Sequence, residues 1–123
     1  AAAEMFIDYW MGEGAYFAKP EAQRIAIEDA IVHVQGWFHA LLKEPTPLVA
    51  FRVLKMPVLL MQGSETTDSA RAVAALLART LPQVTALGLA GLGHMGPITH
   101  PAIVNPAIDD FLLLHLPLGS RIG

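Results

Sequence analysis

The chain contains no cysteine, which rules out disulfides, thiol nucleophiles and every metal site built on thiolate ligands. Charge is scarce as well. Only 15% of the 123 residues are charged, against about 25% in an average soluble domain. The formal net charge is −3, and Lys and Arg form no cluster, so nothing here is suited to a phosphate backbone. A nucleic-acid partner is therefore not expected. No apolar run approaches the ~18 residues of a membrane span, and AAAEMF lacks the basic and apolar regions of a signal peptide. The expectation is a soluble, cytoplasmic chain with no membrane partner. An initiator Met is also missing, which points to a processed or partial chain. Serine occurs at positions 64, 69 and 120 only, and none sits in a G-x-S-x-G elbow.

What is abundant is apolar surface, at 54% of residues. A chain of this length buries that much with difficulty, so a partner surface is expected. Composition shifts near residue 50. The first 50 residues hold both Trp, both Tyr and three of the five Phe, with no strand-like alternation. EMFIDYWM reads as a short helix closed by Gly12 and Gly14. Pro20 suits the first helical position of PEAQRIAIEDA. IVHVQGWFHALLKE continues in helical style, and EPTP breaks it.

The second half reads as strand, helix, strand, loop, helix. PVLLMQ is a continuous apolar run ending at Gly63, as expected of a strand buried on both faces. Ala70 to Thr80 reads as a helix closed by Pro82, and Val84 to Leu89 as a second strand. A last helix runs from about Pro101 to His115. Pro106 should kink it, or make it restart with Asn105 as N-cap. The pattern gives a parallel, right-handed βαβ unit with flanking helices. Parallel sheets usually have more than two strands, so the sheet looks incomplete. A second chain, or the rest of a larger fold, is expected to complete it.

Between the second strand and the last helix lies GLGHMGP, residues 91 to 97. It matches G-x-G-x-x-G, the dinucleotide pattern, but Pro97 and Pro101 delay the helix that should hold a pyrophosphate. Asp109 and Asp110 come too early to bind a ribose, and the βαβ unit precedes the loop instead of following it. No cofactor is expected. A loop leaving the carboxyl end of a parallel strand is where α/β proteins place chemistry, and its glycines suit a mount for His94. A glycine-rich turn with an incidental imidazole fits the spacing equally well.

Read together, MPVLLMQGSETTD and AALLARTLPQVTALGLAGLGHMGPITHPAIVNPAIDDFL resemble the C-terminal part of the α/β-hydrolase family. The resemblance covers roughly residues 50 to 115. It implies an α/β fold in two parts: a helical cap-like segment over 1–49, and the end of the hydrolase core over 50–123. It implies that His94 is the triad base of a serine hydrolase acting on a small apolar ester-like substrate. The nucleophile elbow would precede residue 1, leaving the chain inactive alone. The triad acid commonly lies three residues after the strand-ending glycine. Here that position is Thr66, which cannot hold an imidazolium by charge. Asp68, Glu65 or a residue outside the chain would then supply the acid; otherwise Asp68 and Glu65 serve the following helix as cap or first-turn charge.

Trp10, Trp37 and Phe38, with Tyr9, are candidates for lining the substrate pocket, and Met95 for touching substrate, although packing accounts for all five. His100 is expected to cap or pack the last helix, or to support His94. His33 and His39 are six apart, on different helix faces, so no metal site is expected. The remaining possibility is a non-catalytic hydrolase-like module that dimerises or binds a small molecule.

Overall fold

The computed structural model describes residues 1–116, so Ser120 lies outside the described residues. The chain divides into two compact units, Ala1–Pro47 and a second beginning at Leu48. The division falls on the EPTP stretch. There the Glu44 carboxylate accepts from the Thr46 amide at 3.0 Å and the Thr46 hydroxyl at 2.6 Å. These bonds hold the Glu44 carboxyl below its usual range. Prolines on either side of Thr46 keep the local chain out of a helix.

The first unit is helical, with α1 (Ala2–Met11), α2 (Glu21–Ala30), a 3₁₀ turn (Ile31–His33) and α3 (Val34–Leu42). Gly12, at φ 104°, ends α1. Pro20 stands one residue before α2 with ψ 148°, at the cap and not at the first helical position. The Asp8 carboxylate folds the connecting loop back, accepting from the Gly14 amide at 3.1 Å and the Tyr16 amide at 2.8 Å. Tyr16 is buried, and its hydroxyl donates to Glu28 on α2.

That bond, with burial, raises the Tyr16 hydroxyl above its ordinary pKa. A group raised in the folded state stabilises fully below its unfolded pKa, about 10 for tyrosine. The contribution then fades as pH climbs through the higher folded value. Alkaline titration monitored by circular dichroism should therefore show loss of stability above pH ~10. In Tyr16→Phe that component should vanish. An unchanged alkaline profile in the variant would mean that Tyr16 does not set the alkaline limit of stability.

The second unit holds a 3₁₀ segment (Leu48–Val53), β1 (Val58–Gly63), α4 (Asp68–Thr80), β2 (Val84–Leu89), a short α5 (Gly96–Thr99) and α6 (Pro101–His115). β1 and β2 pair in parallel, from Val58 beside Val84 to Gly63 beside Leu89. The unit is thus mixed α/β with a two-stranded sheet. α4 packs on β1 and on the 3₁₀ segment, and α5 on α6. β1 does not reach the burial expected of it. All six of its residues are half-buried, because one strand and few helices cannot cover two faces. Periodicity reports what a strand is made for, not how many neighbours it has.

α4 starts earlier than the apolar pattern suggested, at Asp68. Thr67, not Asp68, caps it, its hydroxyl accepting from the Ala70 amide at 3.3 Å. Thr67→Ala should cost about 1 kcal/mol in urea unfolding. A loss below a few tenths would mean the long cap bond contributes nothing. Leu81 after the helix is extended at ψ 132°, as a residue before proline must be. α6 is one continuous helix through Pro106 and does not restart at Asn105. Proline's φ is helical, so the ring removes one donor without ending the helix. Val104, two residues earlier and 1% exposed, is the most deeply buried side chain of the described residues. Large apolar side chains nevertheless remain outside, Leu42 and Leu114 at 80% exposure each. Among the described residues no helix is long and apolar enough to cross a membrane.

Candidate functional site

The site is built where the loops after β1 and β2 meet. Both leave the carboxyl ends of parallel strands, so register alone brings Gly63 beside Leu89 and their following residues together. Four backbone amides tie the loops down. Ser64 donates to the Leu89 carbonyl at 2.9 Å, and Glu65 to the Leu92 carbonyl at 3.0 Å. Gly91 donates to the Ser64 hydroxyl oxygen at 2.8 Å, and Thr66 back to the Gly63 carbonyl at 3.2 Å. Arg71, one turn into α4, clamps the first loop from outside. Its guanidinium reaches the Ser64 carbonyl at 3.3 Å and the Thr66 carbonyl at 3.0 Å.

Three glycines make this junction possible, each for its own reason. Gly63 is the critical one. A Cβ there would lie 2.1 Å from the Leu92 carbonyl oxygen. Gly91 has φ 72°, a left-handed turn that ordinary residues resist. Gly96 is buried against the Leu92 side chain, which is itself 3% exposed. Gly93, by contrast, has room for a side chain. The mount for His94 thus includes a glycine from β1, outside the GLGHMGP motif, and does not require Gly93.

His94 sits in the turn between β2 and α5, with an exposed side chain. Its Nδ1 lies 3.2 Å from the Thr66 hydroxyl oxygen. Thr66 is buried, at 7% exposure. The residue three positions after Gly63 therefore does reach the imidazole, but as a neutral hydroxyl. The two acid candidates are elsewhere. Asp68 is fully exposed and lies 3.8 Å from Arg71 Nε, in the first turn of α4. Glu65 is exposed and uses its backbone amide, not its carboxylate, in the junction.

His100 turns to Thr99, 2.7 Å from its hydroxyl, and its carbonyl receives the first amides of α6. Met95 is half-buried and its carbonyl accepts the amides of Ile98 and Thr99. Trp10, Trp37 and Phe38 belong to the first unit. Trp10 packs edge-on to Tyr9 at 4.9 Å, and Trp37 stacks with His33 at 6.5 Å. Trp37 is 61% exposed and Phe38 41%. In the second unit an open groove runs between the sheet, at Leu60, Gln62 and Ala86, and the alanines of α4 at 74, 75 and 78. No predicted site residue lines it. Among the described residues no three His, Asp or Glu side chains are grouped to hold a metal.

Sequence reasoning missed Thr66 as a partner because it asked only for a charge. Position was the available signal, since Thr66 stands three residues after Gly63. It also passed over Ser64 and Arg71, whose roles depend on backbone groups that composition does not reveal. Comparisons with protein-family profiles, with curated proteins and with solved structures found no match to this chain.

Proposed function

We propose that this chain forms the C-terminal part of an α/β-hydrolase-type enzyme, with residues 1–49 as the end of a helical cap. His94 acts there as the general base. One observation carries the reading. His94 leaves the carboxyl end of one parallel strand and is seated by the loop leaving the carboxyl end of its neighbour. Parallel α/β sheets concentrate their chemistry at those ends. In the complete enzyme Nε2 removes the proton of a serine hydroxyl as it attacks an ester-like carbonyl. The same proton then passes to the leaving alkoxide. The serine lies off this sequence, which has no G-x-S-x-G. The remaining strands come from the rest of the hydrolase chain or from a second copy.

The assay is p-nitrophenyl ester hydrolysis. The 123-residue chain should show no turnover. A longer gene product carrying an upstream elbow should hydrolyse the ester and lose most of that rate with His94→Ala. Turnover by the short chain, or full activity in the longer variant, would sink the proposal. A stable, inert dimer encoded by a gene that starts at Ala1 would favour a binding module, for which the open edges of the two-stranded sheet are a pairing surface.

A further inference from the structure

A hydroxyl and an imidazole can share a hydrogen in two ways, and the choice decides what the ring offers on its other side. Either Nδ1–H donates to Thr66, leaving a lone pair on Nε2, or Thr66 donates to Nδ1, leaving a hydrogen there. The surroundings of Thr66 favour the second. Its residue is buried, so water does not readily take the hydroxyl hydrogen. Its amide and carbonyl are already engaged, with the Gly63 carbonyl and the Arg71 guanidinium. Among the described residues the one hydrogen bond of the hydroxyl is to Nδ1. If the ring donated, the hydroxyl hydrogen would be left buried without an acceptor, which is costly. Imidazole nitrogen is also the better acceptor of the two atoms.

We propose that Thr66 is the positioning residue of His94, its hydroxyl donating to Nδ1, so that the neutral imidazole carries its hydrogen on Nε2. A neutral ring with its hydrogen on Nε2 is a donor at that atom and not a base. It becomes a base only after the Thr66 hydroxyl turns to accept and the ring hydrogen moves to Nδ1. In a serine triad a misplaced ring hydrogen lowers turnover by about 10⁴. Thr66 thereby restrains the chemistry proposed for His94. The inference rests on that reading only in taking His94 as the acid–base group of the site.

Other charged groups on the packed segments do not replace Thr66. Asp68 faces Arg71, Arg71 holds backbone carbonyls, Glu65 is exposed, and His100 bonds Thr99. Asp109 and Asp110 on α6 are exposed.

The test is long-range ¹H–¹⁵N NMR of the histidine-labelled 123-residue chain, at a pH where the ring is neutral. The expected tautomer is Nε2–H in the wild type and in Thr66→Ser. Thr66→Val should relax to a mixture. Thr66→Asp should move the hydrogen to Nδ1, since a carboxylate can only accept it. Nδ1–H in the wild type would overturn the proposal. So would a folded Thr66→Val whose ring signals match the wild type. The wild-type spectrum decides even if a variant fails to fold. None of these readings needs turnover, so the hydrolase proposal can fail while this one stands.

Discussion

Gly63→Ala should unfold the second unit or bring it close to unfolding. The added Cβ would sit 2.1 Å from the Leu92 carbonyl oxygen and 2.7 Å from the Leu92 carbonyl carbon and the Gly93 carbonyl oxygen. All three obstacles are backbone, so no rotamer change relieves them. The loop after β2 has to retreat. Retreat stretches the Glu65–Leu92 bond of 3.0 Å and the Gly91–Ser64 bond of 2.8 Å, each worth about 1 kcal/mol. It also lifts Leu92 from its 3% exposure, and burial of such a side chain is worth about 1.5–3 kcal/mol. The expected loss is about 3–5 kcal/mol, a large share of the ~5–15 kcal/mol that holds a domain. Chemical denaturation measures it. Gly93→Ala is the control, because a Cβ there meets only the Glu65 carbonyl oxygen at 4.0 Å and φ is not positive. Equal effects from the two substitutions would mean that the close approach of the loops is not what holds the unit.

The contrast between these glycines shows where sequence reading stops. Gly63 looked like a strand terminator, which requires only local knowledge. Its second property, contact with a carbonyl 29 positions later, exists only once β1 and β2 are in register. Thr66 and His94 are separated in the same way, by 28 positions. The strands themselves were legible because each is a short apolar run bounded by Pro or Gly. The helices were legible because their apolar spacing is regular. α5 was not, since four residues are too few to show a period, and its Pro97 reads as a breaker although proline fits the first turn of a helix. The loop carrying His94 could be found from its glycines and its place after a strand. Its partner could not be identified from charge, because the structure supplies a hydroxyl where a carboxylate was sought.

Asp8→Ala should be nearly as damaging to the first unit as Gly63→Ala is to the second. Ala3 and Tyr16 are the buried apolar side chains described there, so little core exists to absorb a loss. The Asp8 carboxylate satisfies two amides of the loop after α1, at 3.1 and 2.8 Å. Hydrogen bonds to a charged group contribute about 1.5–3 kcal/mol each, the larger value applying where the donor is shielded, as at Tyr16. The loss also propagates. Without its amide anchor Tyr16 is no longer held where its hydroxyl meets Glu28, and that bond links the loop to α2. Alanine returns about 0.5 kcal/mol of helix propensity within α1, leaving a net cost of about 2.5–4 kcal/mol. Asp8→Asn keeps an acceptor without the charge and should lose roughly half as much. Fluorescence of Trp10, which packs against Tyr9 and Phe6 beside Asp8, follows the transition. If alanine and asparagine prove equally mild, the loop is held by its glycine turns, at φ 104° and 79°, and not by the carboxylate.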